Sequence, residues 1–211
     1  MARPNMTLAV KRLVRDVAKR MPELAHVRAS RVLDVAGEAR RASRATIRPA
    51  VPRRSETRSR EGAKKPRIRV NGRKILYVIT LRPLWFVGST PEQRIATVLH
   101  ELYHASLRFD GTLHRGRRHS VLPRPAYDAK IRRLRDRYLS RAPTEIVEPF
   151  AHEGVARVRM WLERPSAWVD DDERATRRTY GERQLFLGLM PMRASRPPQR
   201  RAVRRRALDA S

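Results

Sequence analysis

The residues with the most chemistry in this chain are His100-Glu101-Leu102-Tyr103-His104. Two histidines four apart on a helix lie one turn above each other and offer both imidazoles to a single point, as two ligands of a tetrahedral zinc. A glutamate between them can take a proton from water whose pKa the metal lowers, and the hydroxide then attacks a polarised carbonyl. That chemistry is metal-assisted hydrolysis. In a chain with six His and twelve Glu, chance gives the pattern about once in a hundred sequences, so it gains weight only on a helix with suitable faces.

The neighbouring residues predict such a helix. Thr90 is a good N-cap, Pro91 fits the first helical position, and Gln93 completes a capping box. The helix should run to about Leu107, before Asp110-Gly111. At about 100° per residue Ile95, Val98, Leu99 and Leu102 share one face, while His100, Glu101 and His104 fall opposite. One side is fit for a core and the other for a cleft. A catalytic zinc takes a third protein ligand and leaves a position for water. Cysteine is absent, which excludes thiolate sites, disulfides and cysteine nucleophiles. The third ligand must then be His or a carboxylate, and Asp110, His114 and His119 lie just downstream. Asp110 stands six residues past His104; the two histidines sit in the basic loop 112–119, which Gly111 and Gly116 could let fold back. Spacing leaves the three open.

Around this segment the sequence predicts a basic amphipathic helix over Met6 to Met21, with Leu8, Val10, Leu13, Val14 and Val17 on its apolar stripe. Val32 to Val35 reads as a short strand. Arg67 to Val70 and Arg73 to Leu81 flank Asn71-Gly72, a pair suited to a type I′ hairpin turn. Ala126 to Leu139 carries Tyr127, Ile131, Leu134 and Tyr138 on one helical stripe. Gly154 to Leu162 and Leu185 to Met190 read as weaker strands. Residues 49–67, rich in Pro, Arg, Ser, Glu and Lys, are expected to form a disordered insertion. The Arg-rich tail 193–211 is expected to be disordered too. His152 beside Glu153, and the run Asp170-Asp171-Asp172-Glu173, lack ligand spacing and read as solvated.

Composition bounds the remaining choices. The 211 residues carry a formal net charge of +28, with 43 arginines against six lysines. The length suits one domain with tails. No apolar run approaches the ~18 residues of a membrane helix, and no secretory leader opens the chain, so a cytoplasmic protein without a membrane partner is expected. The arginine excess fits either a polyanionic partner or coding bias. It supports an alternative function, a nucleic-acid-binding protein with a structural or vestigial zinc site, in which Arg200, Arg201, Arg204, Arg205 and Arg206 would contact phosphates. No aromatic residues interleave those runs and no reading module is recognisable. Nothing in the sequence indicates an oligomeric state.

Thr90 to Ser120 resembles the phage metallopeptidase family, zincin-like proteins related in outline to SprT-like proteases. The resemblance rests on Val98-Leu99-His100-Glu101-Leu102-Tyr103-His104, then Phe109-Asp110-Gly111, then a basic run closing on His119, and extends roughly over residues 20–125. It implies an α+β, zincin-like fold, with a small twisted and mostly antiparallel sheet packed on the active-site helix. It implies one zinc ion on His100, His104 and His119, Glu101 as general base, and a protein or peptide substrate. It also implies that the strand Ile75 to Leu81 borders the cleft and pairs with an extended substrate; an interior strand with no free edge is the other reading. The domain plan is then a packed helix at 1–21, the catalytic domain at 22–165, an extension at 166–192 and the tail at 193–211.

Overall fold

The computed structural model describes residues 3–39, 43–50, 67–165 and 179–192. Helix α1 (Met6–Arg20) opens with Asn5 as its cap, the side-chain oxygen accepting from the Leu8 N–H. Met6, Val10, Leu13, Val14 and Val17 are buried, whereas Leu8, expected on the same stripe, is exposed. Two 3-10 turns lead into β1 (Val32–Ala36), followed by β2 (Ala45–Pro49). Next come β3 (Arg67–Val70), β4 (Arg73–Lys74) and β5 (Tyr77–Leu81). Helices α2 (Pro83–Val87), α3 (Pro91–Tyr103), α4 (Arg124–Leu139) and α5 (Thr144–Val147) then precede β6 (Gly154–Trp161), β7 (Thr179–Tyr180) and β8 (Leu185–Met192).

A five-stranded sheet of order β2-β5-β1-β6-β8 organises the molecule, and β4-β3-β7 form a smaller one. The main sheet is mixed rather than mostly antiparallel. β5 and β6 both lie parallel to β1, whereas β2 on β5 and β8 on β6 are antiparallel. The α3–α4 crossover accounts for part of this, because a parallel return needs a long connection, and β5 reaches β6 through helices. α+β describes the fold; the mostly antiparallel expectation does not.

Four other expectations change. The Asn71-Gly72 turn forms with both residues at positive φ, 49° and 68°, as a type I′ turn requires. Its second arm, however, is two strands: Arg73 and Lys74 pair with β3, and the chain then crosses to the main sheet as β5. There β5 is flanked by β1 and β2, so Ile75 to Leu81 is not an edge strand. The apolar residues on both its faces explain why: Tyr77, Ile79 and Leu81 enter the main core while Ile75 and Val78 pack in a second one. The sheet's edges are β8 on one side and β2 on the other. Pro49 closes that strand, in keeping with the confinement of proline to edges; Pro49, Ala50 and Arg67 therefore belong to the fold, and 51–66 lies outside the described residues. Finally, β8 pairs with β6 along its whole length and buries Met190 and Met192. It completes the main sheet and is no separate extension.

The α-helices cover the sheet. Ile95, Val98, Leu99 and Leu102 of α3 are fully buried in the main core, with Tyr127, Ile131, Leu134 and Tyr138 of α4 beside them. Tyr138 donates to Asp16 Oδ2 at 2.9 Å, and Arg20 pairs with the same carboxylate at 2.8 Å, which ties α4 to α1. No helix among the described residues is long and apolar enough to cross a membrane.

Candidate metal centre

The helix that carries the motif begins as its sequence dictates. Thr90 Oγ1 accepts from the Gln93 N–H at 3.3 Å while the Gln93 side chain accepts from the Thr90 N–H at 3.1 Å. Its orientation is fixed by a residue that sequence patterning would leave in solvent. Arg94 is 1% exposed. Its guanidinium donates to the carbonyls of Phe86, Phe150 and His152 at 3.3, 2.6 and 3.1 Å, clamping the first turns of α3 to the α2 end and to the segment before β6.

At its other end α3 stops at Tyr103, one turn earlier than Leu107. His104 caps it, and the chain folds back so that Ala105 bridges Leu113. Phe109 at φ 50° and Gly111 at φ 90° make the reversal. The return is then pinned by polar contacts. Tyr77 of β5 donates to the Thr112 carbonyl at 2.7 Å and accepts from the Gly111 N–H at 3.1 Å. The His114 N–H reaches the His104 carbonyl at 2.8 Å.

Folding back brings His119 onto the two motif histidines. The three Nε2 atoms form a near-equilateral triangle, with His100 to His104 and His100 to His119 at 3.2 Å and His104 to His119 at 3.1 Å. Bonds of roughly 2.0–2.1 Å to a tetrahedral ion place ligand nitrogens about 3.3 Å apart, so the triangle has the size such an ion needs. The tautomer also fits. His104 Nδ1–H donates to the Arg117 carbonyl at 2.8 Å, leaving the Nε2 lone pair facing the other rings. Arg117 is itself held, with its guanidinium 4.3 Å from the centre of the Tyr103 ring and donating to the Tyr103 carbonyl. Burial, then the neighbouring histidines, depresses His100 to about 3; burial and His119 depress His104 to about 4. Both are neutral at physiological pH, as ligation demands. Three ring nitrogens this close together are near enough to share one metal ion.

The other candidates for third ligand lie apart from this triangle. Asp110 Oδ1 accepts from Ser106 Oγ, Thr112 Oγ1 and the Thr112 N–H at 2.7, 2.7 and 3.0 Å. Those bonds hold its carboxyl down at about 2 and give it a turn-building role. His114 starts the Arg115–Arg117 3-10 turn, and its ring lies against Gly116. Among the described residues, His100, His104 and His119 are the group of metal-ligating side chains near enough to share an ion. His152 stays outside it.

Glu101 projects on the β2 side. It is 6% exposed, and burial raises its carboxyl to about 7, with the Ile47 N–H of β2 pulling the other way. Tyr127 completes the surround, and the sequence had marked it only as a core residue. Its ring packs 4.7, 5.4 and 6.0 Å from the centres of His119, His100 and His104, and its hydroxyl lies 3.4 Å from His104 Nε2. Burial raises its pKa, so the phenol keeps its proton as a donor. The only hint in the sequence was its place on the stripe of the helix that follows the loop. The arginines 200–206 and the acidic run 170–173 lie outside the described residues. No protein-family model, no characterised protein and no solved structure matches this chain.

Proposed function

We propose that the protein is a zinc-dependent peptidase, with His100, His104 and His119 holding the ion and Glu101 as the general base. The observation that carries this reading is the 3.1–3.2 Å triangle of Nε2 atoms with a buried carboxyl on the residue next to His100. The resemblance of Thr90 to Ser120 to the phage metallopeptidase family supports the same assignment. Bound zinc supplies Lewis acidity, lowering the pKa of water and polarising a carbonyl. Glu101, raised to about 7, takes the proton of the attacking water and passes it to the leaving amine; a base near neutrality suits both transfers. Tyr127, protonated and beside His104 Nε2, donates a hydrogen bond where negative charge develops on the carbonyl oxygen.

An extended peptide would lie along β2. Thr46 and Arg48 sit in the positions that bond β5, because the flanking Arg44 carbonyl and Ala50 N–H do so two residues on either side. By the alternation of an antiparallel ladder, Ala45 and Ile47 turn their backbone groups to the open edge. An added strand pairs with the Ala45 N–H and carbonyl and with the Ile47 carbonyl, next to the Ile47 N–H that Glu101 takes.

The test is hydrolysis of casein and of an unstructured peptide by zinc-loaded protein and by Glu101→Gln. The wild type is expected to cleave and Glu101→Gln to lose at least about a hundredfold in rate while keeping its zinc. Cleavage that survives in Glu101→Gln would remove the general base from the reading.

A further inference from the structure

The edge of the main sheet at β8 is built unlike the rest of this chain. Charged residues make up 33% of the sequence, yet the eight of Leu185–Met192 include no charged or polar side chain. Of the eleven large apolar residues exposed among the described ones, six gather around this strand. Phe186, Leu187 and Leu189 stand on it, 45%, 50% and 54% exposed. Leu84 and Trp85 belong to α2, which packs on β8. Leu162 follows β6, where its N–H bonds the Gln184 carbonyl just ahead of β8 at 2.9 Å. An apolar patch of that extent marks an interaction surface.

The backbone of this edge is open as well. On β6 the Arg157 N–H donates to the Pro4 carbonyl at 2.8 Å and the Arg159 N–H to Thr7 Oγ1 at 2.8 Å, so both turn away from β8. Their register partners are Leu189 and Leu187. By the alternation of an antiparallel ladder, those two leucines turn their own N–H and carbonyl groups away from β6. Leu185 and Pro191 share that phase, so the proline's missing N–H leaves no β6 carbonyl unmatched. No backbone bond among the described residues reaches the outward groups of Leu185, Leu187 or Leu189. Edge strands are ordinarily guarded by charges, bulges or short length. Here the guard is Pro191, at one end.

We infer that β8 is a dimer interface: two copies of the chain pair antiparallel along it about a two-fold axis at Leu187, joining their five-stranded sheets into one. In that register Leu187 exchanges both backbone bonds with Leu187 of the second copy, and Leu185 does so with Leu189 of the second copy. All three supply an N–H, and Pro191 falls outside the paired stretch. A two-fold axis sets the residues around it against their own kind, and like charges directly opposite destabilise a pair of strands. A strand without charge meets that demand. A different protein drawn to a chain of net charge +28 would be held through its acidic groups, and β8 gives such groups nothing to bind. The six exposed side chains present roughly 700 Å² of surface, against roughly 800 Å² that each partner gives to an interface of standard size. The interface is independent of the zinc reading.

Sedimentation equilibrium of the full chain at low and high salt tests it. The wild type is expected to be a dimer above about 10 µM. Its dissociation constant should fall as salt rises, because both copies are strongly cationic and screening relieves their repulsion. The double substitution Leu187→Lys with Leu189→Lys should leave a monomer at every concentration. Leu189→Pro should weaken the dimer at least about tenfold; it removes an outward N–H that β6 does not use, so the ladder between β6 and β8 survives. A control pair of exposed apolar residues elsewhere, Leu107→Lys with Val121→Lys, should dimerise as the wild type does. A wild type that stays monomeric to about 100 µM overturns the inference and assigns the face to another occupant. A dimer that survives the lysine pair or Leu189→Pro, that is lost equally in the control pair, or that dissociates as salt rises also overturns it.

Discussion

Two buried carboxyls, Glu101 and Asp34, show how one physical cause can serve different ends. Burial raises the first to about 7 and the second to about 6. Glu101 follows His100 on the helix that carries two of the three candidate metal ligands. Asp34 sits under cationic side chains, and its raised value has a consequence for stability. Between its usual 3.8 and about 6, the folded state binds more protons than the unfolded one, so folding stability falls as pH rises through that window. Asp34→Asn removes this dependence. Denaturant unfolding in phosphate-free buffer should find the variant close to wild type below pH 4. Above pH 6 it should be more stable by about 3 kcal/mol. A difference independent of pH would refute the account of Asp34. At this scale the sequence was readable where spacing carries the chemistry: His100, Glu101 and His104 lie together as a helix repeat requires. Tyr127 and Arg94 were not, since a helical stripe does not say which of its members meet a site, and arginine on a helix normally faces water.

At the scale of elements, local signals marked where α3 begins but not where it ends. The capping box at Thr90 involves neighbours in sequence, whereas the stop at Tyr103 depends on Tyr77 and Leu113 holding the returning loop. β2 escaped notice for a related reason. Only Ala45 and Ile47 are buried along it, and what makes it a strand is the ladder with β5. Asn71-Gly72 correctly announced a turn, yet nothing local indicates that the chain changes sheets after Lys74. Arg94 is the joint between these elements. Arg94→Met would leave the Phe86, Phe150 and His152 carbonyls without their donor, while removing the cost of a buried charge. Unmatched acceptors outweigh that relief, and the expected loss is about 3 kcal/mol, read as a lower urea midpoint with unchanged slope. A loss below about 1 kcal/mol would mean that α3 is held by its apolar face alone.

For the whole molecule, the mixed sheet does what neither helix nor loop could do separately. β5 lies at its interior, shares the main core with α3 through Ile79 and Leu81, and reaches the returning loop through Tyr77. The distance from His104 to His119, 15 residues in sequence, is closed by that scaffold. This is why spacing left three candidates for the third ligand and the fold brings one of them to the centre. The +28 charge likewise takes on position, with Lys11, Arg15, Arg73 and Arg159 gathered at one cavity and Arg117 built into the support of His104. The measurement that bears most directly on the central claim is zinc per chain after dialysis, for wild type, His119→Ala and His114→Ala. One zinc in the wild type, retained in His114→Ala and lost in His119→Ala, is the predicted result. No zinc in the wild type, or loss in His114→Ala with retention in His119→Ala, would contradict it.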